Sequence, residues 1–161
     1  MSDKTPSTPT SPIYADRLSG ENFPDATTMI NAYLARYALR ADAVGAQASG
    51  ELDSSGYAEV QRGPVLIGIN VLADRGVLMV FAPIMAVPVV GREAFFRHLL
   101  ELSFITTSDA AFAINAPRDE VVLRCLRRLS ALDYEEFEDI VMTVGEVAAK
   151  WHDVLIRKYG T

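Results

Sequence analysis

Internal disulfides are closed to this chain, because its 161 residues include a single cysteine, Cys125. None of Asn22, Asn31, Asn70 and Asn115 begins a glycosylation sequon, so neither staple nor sugar points to an oxidising compartment. A cytoplasmic protein is expected. Met1 to Pro12 is polar, without the apolar central stretch of a signal peptide. Long hydrophobic runs are also missing. The most apolar region, residues 65–90, is broken by Asp74, Arg75, Gly76, Pro83 and Pro88, short of the roughly 20 apolar residues that a membrane-spanning helix needs. No membrane partner is expected. Basic charge is in deficit, with 15 Lys and Arg against 21 Asp and Glu and a net charge of −6. Nucleic acid is therefore not an expected partner, since a phosphate backbone repels such a chain on average.

Catalytic and metal-binding signatures are equally scarce. His98, His152 and Cys125 stand isolated in sequence, whereas zinc takes three or four ligands at compatible spacing. There is no Gly-x-Ser-x-Gly elbow, no Gly-x-x-x-x-Gly-Lys loop and no Gly-x-Gly-x-x-Gly turn. Glu135, Glu136, Glu138 and Asp139 crowd the start of a predicted helix, where capping and the helix dipole already favour carboxylates. Arg124, Arg127 and Arg128 form the basic cluster of a predicted strand, Arg124 and Arg128 pointing one way and Arg127 the other. Solvated edge-strand charges that discourage unwanted pairing account for them. The residues thus predict no enzyme, no metal and no cofactor.

What is present is enough apolar material for one core: half of the chain is hydrophobic, and the length suits a single domain. Residues 1–24 are set apart by Pro6, Pro9, Pro12 and Pro24 among Ser and Thr, a composition too polar to offset the entropy of ordering. They read as a flexible tail, either an inert solubilising leader or one in which Ile13, Tyr14 and Leu18 form a short sticky element that docks on this domain or a partner, with residues 25–161 as the folded domain.

Apolar residues at helical spacing predict a first helix over 26–40, with Ile30, Tyr33, Leu34 and Tyr37 on its face and Asp25 or Thr27 as N-cap. Residues 41–56 are small, polar and glycine-containing, and read as a loop or a frayed helix end. Strands follow at 57–61, 65–72 and 77–82, the last two joined by a turn in which Gly76 takes a left-handed position. A second helix spans 92–102 and two more strands 111–115 and 120–127. The last helix, about 134–158, is the best marked, with Asp133 as N-cap, Glu136 completing a capping box, and Leu132 with Phe137 as hydrophobic staple.

The middle strands break the rule for a half-solvated sheet. Val65, Ile67, Ile69 and Val71 share one face, yet Leu66, Gly68, Asn70 and Leu72 on the other are also largely apolar, where polar residues are normal. Something must cover that second face: helices of this chain on both sides, a second subunit or a client peptide. The second helix has a wide apolar arc as well, Phe95, Leu99 and Leu102 on one side and Phe96 and Leu100 on the other. The uncharged segment Pro83 to Val90 reads equally well as a hydrophobic lip for a partner or as a covered end of the core.

The order helix, three strands, helix, two strands, long helix is now on the page. With Val121-Val122-Leu123 leading through Leu129 and Leu132-Asp133 into a helix that carries Trp151 near its end, residues 26–159 resemble the class I type III secretion chaperones of bacteria and the related YbjN-like proteins. The resemblance implies an α+β fold, an antiparallel sheet of about five strands with three helices, and a homodimer that binds a segment of another protein. By position it makes Phe95, Phe96, Leu99 and Leu100 dimer-interface candidates. Tyr33, Tyr37, Leu66, Asn70 and Leu72, with Ile84 and Met85 of the uncharged segment, become partner-binding candidates. The proline-rich leader and the long loop after the first helix depart from the chaperones and lean towards the YbjN-like branch. The function expected is a non-catalytic protein-binding module, chaperone-like or adaptor; the alternative is a YbjN-like regulatory or sensory domain that binds a small ligand between sheet and helix.

Overall fold

The computed structural model describes residues 14–160. Strands β1 (Tyr14–Asp16) and β2 (Glu21–Phe23) form a small antiparallel hairpin. Helix α1 (Ala26–Ala43), strands β3 (Tyr57–Arg62), β4 (Val65–Leu72) and β5 (Val77–Ala86), helix α2 (Arg92–Ile105), strands β6 (Ala111–Asn115) and β7 (Glu120–Arg128), and helix α3 (Tyr134–Tyr159) follow. The five main strands pair antiparallel in the order β3-β4-β5-β7-β6. This is the α+β architecture expected.

The local signals act as predicted at most joints. Asp25 caps α1 by accepting from the Thr28 amide, and Asp133 caps α3 by accepting from the Glu136 amide. Leu132 and Phe137 of the staple are both buried. Gly76 closes the β4–β5 turn at φ +61°. The capping box is only half made, because the Glu136 carboxylate turns to the Arg127 guanidinium at 3.0 Å. A charged donor is the stronger partner. Arg127 also reaches Asp109 at 2.7 Å, so it ties the α2–β6 loop and β7 to the start of α3.

Strand β5 runs to Ala86, past the expected end at Ala82. Pro83 is tolerated because the pairing of β4 with β5 ends at Gly68 and Phe81, leaving β5 only β7 as a neighbour beyond that point. A proline there has no second ladder to break. The uncharged segment is divided: Ile84 and Val87 are buried while Val89 and Val90 are exposed. β7 is an interior strand between β5 and β6, which corrects the edge-strand reading of its arginines. Arg124 and Arg128 lie on one face and Arg127 on the other, as alternation requires.

The hairpin differs from the flexible tail expected through residue 24. Tyr14 and Phe23 pack against the core, and Phe23 stacks on Tyr134 at 6.3 Å. The buried Asp16 carboxylate meets Arg36 of α1 at 2.8 Å, and Arg17 meets Asp133 at 3.0 Å. Composition undervalued these residues because their partners come from α1 and α3, far along the chain. Leu18 points into solvent. Ile13 and the rest of the proline-rich segment lie outside the described residues.

All three helices pack on one face of the sheet. Met29, Ile30, Tyr33 and Leu34 of α1, Phe95 of α2, and Phe137, Val141, Val144 and Leu155 of α3 join Ile67, Ile69, Leu78, Val80 and Leu123 in one buried cluster. The expected option of helices on opposite sides is not taken. Among the described residues the second sheet face is therefore left bare of helices.

Candidate partner-binding surfaces

Three apolar surfaces remain once the core is closed. The first is a groove of about 520 Å³ between the C-terminal half of α1, the β3–β4 turn and the middle of α3. Tyr37, Ala41, Val44, Pro64 and Ala149 give it apolar walls, and Arg40, Arg62 and Glu146 stand among them. The Tyr37 hydroxyl donates to the Gln61 carbonyl, which fixes the ring between helix and strand. The apolar body of the ring is left half-buried.

The second surface is the outer side of α2. Leu100 is 73% exposed and Phe104 89%, four residues apart on one helical face. Ile105 and Val89 with Val90, just before the helix, are also exposed. A cleft of about 160 Å³ between Phe96, Leu99 and Leu100 of α2 and Phe112, Ala113 and Ile114 of β6 continues this surface onto the sheet edge. Exposed aromatic and aliphatic side chains in one place mark an interaction surface, because a monomer gains nothing from hydrating them.

The third is the bare sheet face. Leu66 and Leu126 are exposed there, and Asn70, Leu72, Val77, Met79 and Phe81 are half-buried. Gly68 is needed in this layer: a Cβ on it would lie 2.5 Å from Cζ of Phe81, whose ring lies across the strand. Tyr57 neighbours that ring at 6.3 Å. Burial and the Glu59 carboxylate, which accepts from its hydroxyl at 2.7 Å, push the Tyr57 phenol above its ordinary pKa.

The outer edge of β3 is closed by the chain itself. Gln61 donates its amide to the Gln47 carbonyl, and the Ser49 and Asp53 amides donate to the carbonyls of Glu59 and Tyr57. The long loop after α1 is thus a cover for a sheet edge. At the other edge, the outward amide of Phe112 on β6 is taken by the Ser103 hydroxyl of α2 at 3.0 Å.

The partner-binding candidates fall into two groups. Tyr37 lines the groove, Leu66, Asn70 and Leu72 lie on the bare sheet face, and Met85 is half-buried at the end of β5, all with surface to offer. Tyr33 and Ile84 are core residues, Tyr33 with its ring edge-on to Phe137 at 4.9 Å. The dimer-interface candidates divide in the same way. Leu100 is exposed and Phe96 half-buried, whereas Phe95 and Leu99 are buried within the chain, Phe95 against Tyr159 of α3 at 4.8 Å. Helical spacing named both sides of α2 without saying which side meets the core. Phe104 and Ile105 were missed because the helix was expected to stop at Leu102; extending the Leu100 face by one turn finds Phe104.

The reactive groups are spent on structure. His98 Nδ1 lies 3.0 Å from the Tyr159 hydroxyl and joins α2 to the end of α3. His152 pairs with its neighbour Asp153. Burial raises the Cys125 thiol above its ordinary pKa, which works against a nucleophilic thiolate. Among the described residues no helix is long and apolar enough to cross a membrane, and no three His, Cys, Asp or Glu residues are placed to hold a metal ion.

The sequence pattern of the Tir chaperone protein (CesT) family matches residues 45–152. The chain belongs to this family. Among solved structures, a chain of the ExsC–ExsE complex is 27% identical, with 81% of this chain and 96% of that one covered and a TM-score of 0.63. A chain of the HopA1–SchA chaperone–effector complex gives a TM-score of 0.56 at 8% identity, covering 80% and 96%. A chain of the heterodimeric ExoU–SpcU complex from the type III secretion system of Pseudomonas aeruginosa gives 0.54 at 17%, covering 80% and 95%. The last two are likenesses of fold. No curated protein matches the chain in sequence. Of the two branches that the element order resembles, the matches lie with the type III secretion chaperones, so the lean towards the YbjN-like branch taken from the leader and the loop is not followed. The CesT match begins at residue 45, within the loop that closes the β3 edge.

Proposed function

We propose that this protein is a non-catalytic, cytoplasmic chaperone that, as a homodimer, holds a segment of another protein against its apolar surfaces. The observation that carries the reading is the surplus of exposed apolar side chains on a folded CesT-family domain, concentrated on α2 and on the sheet face away from the helices. The ExsC–ExsE complex, in which the 27% identical relative stands beside a second protein, supports a protein partner. The chaperone–effector complex of the more distant fold neighbour agrees.

Within this reading the surfaces divide the work. The outer side of α2, with Phe96, Leu100, Phe104 and Ile105, joins two copies. Tyr37 in the α1–α3 groove, and Leu66, Asn70, Leu72 and Met85, contact the partner segment. Tyr33 and Ile84 act from the core by holding Tyr37 and the end of β5 in place, and Phe95 and Leu99 do the same for α2.

The mass of the full chain in solution tests the dimer directly. Light scattering behind size exclusion at micromolar concentration should give twice the chain mass, falling to one chain mass in a Leu100→Glu, Phe104→Glu variant that keeps its helical circular dichroism. Both side chains are exposed, so the fold loses little, about 0.5 kcal/mol or less. A wild-type monomer that binds no apolar dye and brings down no protein in a native pull-down would overturn the proposal.

A further inference from the structure

At one end of the bare sheet face lies a trough of about 310 Å³, lined by Tyr57 and Glu59 of β3, Leu66 and Gly68 of β4, Phe81 and Pro83 of β5, and, beyond them, Asn115, Arg118 and Glu120. It exists because β4 and β5 part company after Gly68 and Phe81. Its floor is aromatic, the Phe81 ring lying over Gly68 beside Tyr57. Glu59 and Glu120 are both among its lining residues. Each has one neutral donor, Tyr57 on Glu59 at 2.7 Å and Asn115 on Glu120 at 3.1 Å. Among the described residues no cation comes within 4.0 Å of either. Arg118, which also lines the trough and whose charge acts on Tyr57, and Arg124, opposite Phe81 on β7, are the nearby positive charges, and among the described residues neither forms an ion pair.

We propose that this trough anchors an arginine side chain of the partner segment, its guanidinium lying over Phe81 and Tyr57 between Glu59 and Glu120. Charge and shape select that occupant. A planar cation stacks on aromatic faces while its fork of donors meets carboxylates at the edge, and Leu66 and Pro83 suit its methylene stem. An acidic side chain would meet Glu59 and Glu120, and an aliphatic one would leave both carboxylates dehydrated without a partner. The inference rests on the partner-holding reading and gives it a chemical preference. Arg118 competes for the same carboxylates, so its removal strengthens the site.

The test uses the full chain, labelled with nitrogen-15, and two capped tripeptides, acetyl-Leu-Arg-Leu-amide and its neutral counterpart with citrulline in place of arginine. The arginine peptide should shift the amide signals of Gly68, Phe81 and Glu120. Binding should weaken about three- to tenfold with citrulline or in Glu59→Gln, Glu120→Gln, the range of partly exposed ion pairs, and tighten in Arg118→Gln. Gly68→Ala, which pushes the Phe81 ring into the trough, should abolish it while leaving the α1–α3 groove signals in place. No localised shift, equal binding of both peptides, or loss of binding in Arg118→Gln overturns the anchor. Failure here with an intact dimer and a captured partner leaves the chaperone reading standing; failure of those with a working trough does the reverse.

Discussion

Strand β4 carries two different surfaces on one backbone. Its odd-numbered residues, Val65, Ile67, Ile69 and Val71, are buried under α1 and α3, while Leu66 on the opposite face stands 40% exposed and Leu72 half-exposed. Both sets are apolar, so hydrophobicity alone does not separate them. The difference is supply: three helices provide enough surface to cover one face of the sheet, and the described residues hold no further element on the other.

Stability should record that asymmetry. Ile69→Ala removes packed volume from the covered face and should cost about 2–5 kcal/mol in urea unfolding, whereas Leu66→Ala, three positions earlier and on the bare face, should cost well under 1 kcal/mol and act on partner binding. Equal costs would break the comparison. Gly56→Ala probes the joint beneath both faces. Gly56 sits at φ +81°, and a Cβ there would lie 2.6 Å from the Val71 carbonyl oxygen. The expected loss of about 1–3 kcal/mol should appear as a lower urea midpoint with an unchanged mass in solution.

The N-terminal hairpin sharpens the comparison, because it covers part of α1 and α3 with far less buried area than the sheet does. Its lock is Asp16. Hydrogen bonds from the Ser19 hydroxyl first, then the Ser19 amide, Arg36 and the Leu18 amide, outweigh burial and hold this carboxyl below its ordinary pKa. A carboxylate depressed in the folded state stabilises fully above its unfolded value, about 3.9, and that contribution fades as pH falls through the lower folded value. Amide protection in residues 14–23, taken relative to the intrinsic exchange rate at each pH, should therefore stay high at neutral pH and fall below about pH 4 before that of the sheet does. Arg36→Met should release the hairpin even at neutral pH, with the smallest change in global stability of the variants named here. Hairpin and sheet opening together at every pH would show that the two are one cooperative unit.

Much of this was legible in the residues. The order of elements, the Asp25 and Asp133 caps, the Gly76 turn and the 65–72 strand all follow from short-range patterns that the backbone obeys locally. The surplus of apolar surface on two strand faces was legible too, and so was the resemblance to secretion chaperones that the CesT match bears out. The candidate residues were legible as a set and not as individuals. Periodicity places Phe95 with Leu99 and Phe96 with Leu100, but nothing in it says which pair meets the core.

The sequence by itself determined where the chain turns, which stretches are helix or strand, and that it carries more oily surface than a half-solvated sheet requires. Tertiary structure alone decided that all three helices lie on the same side, that β7 is interior, that the hairpin is clamped by Arg36, and that Glu59 and Glu120 line one trough with Phe81 and Tyr57. The reason is one of range. Caps and turns are settled by neighbours within a few residues, whereas sidedness and clefts depend on residues brought together from up to more than a hundred positions apart, as Arg17 and Asp133 are.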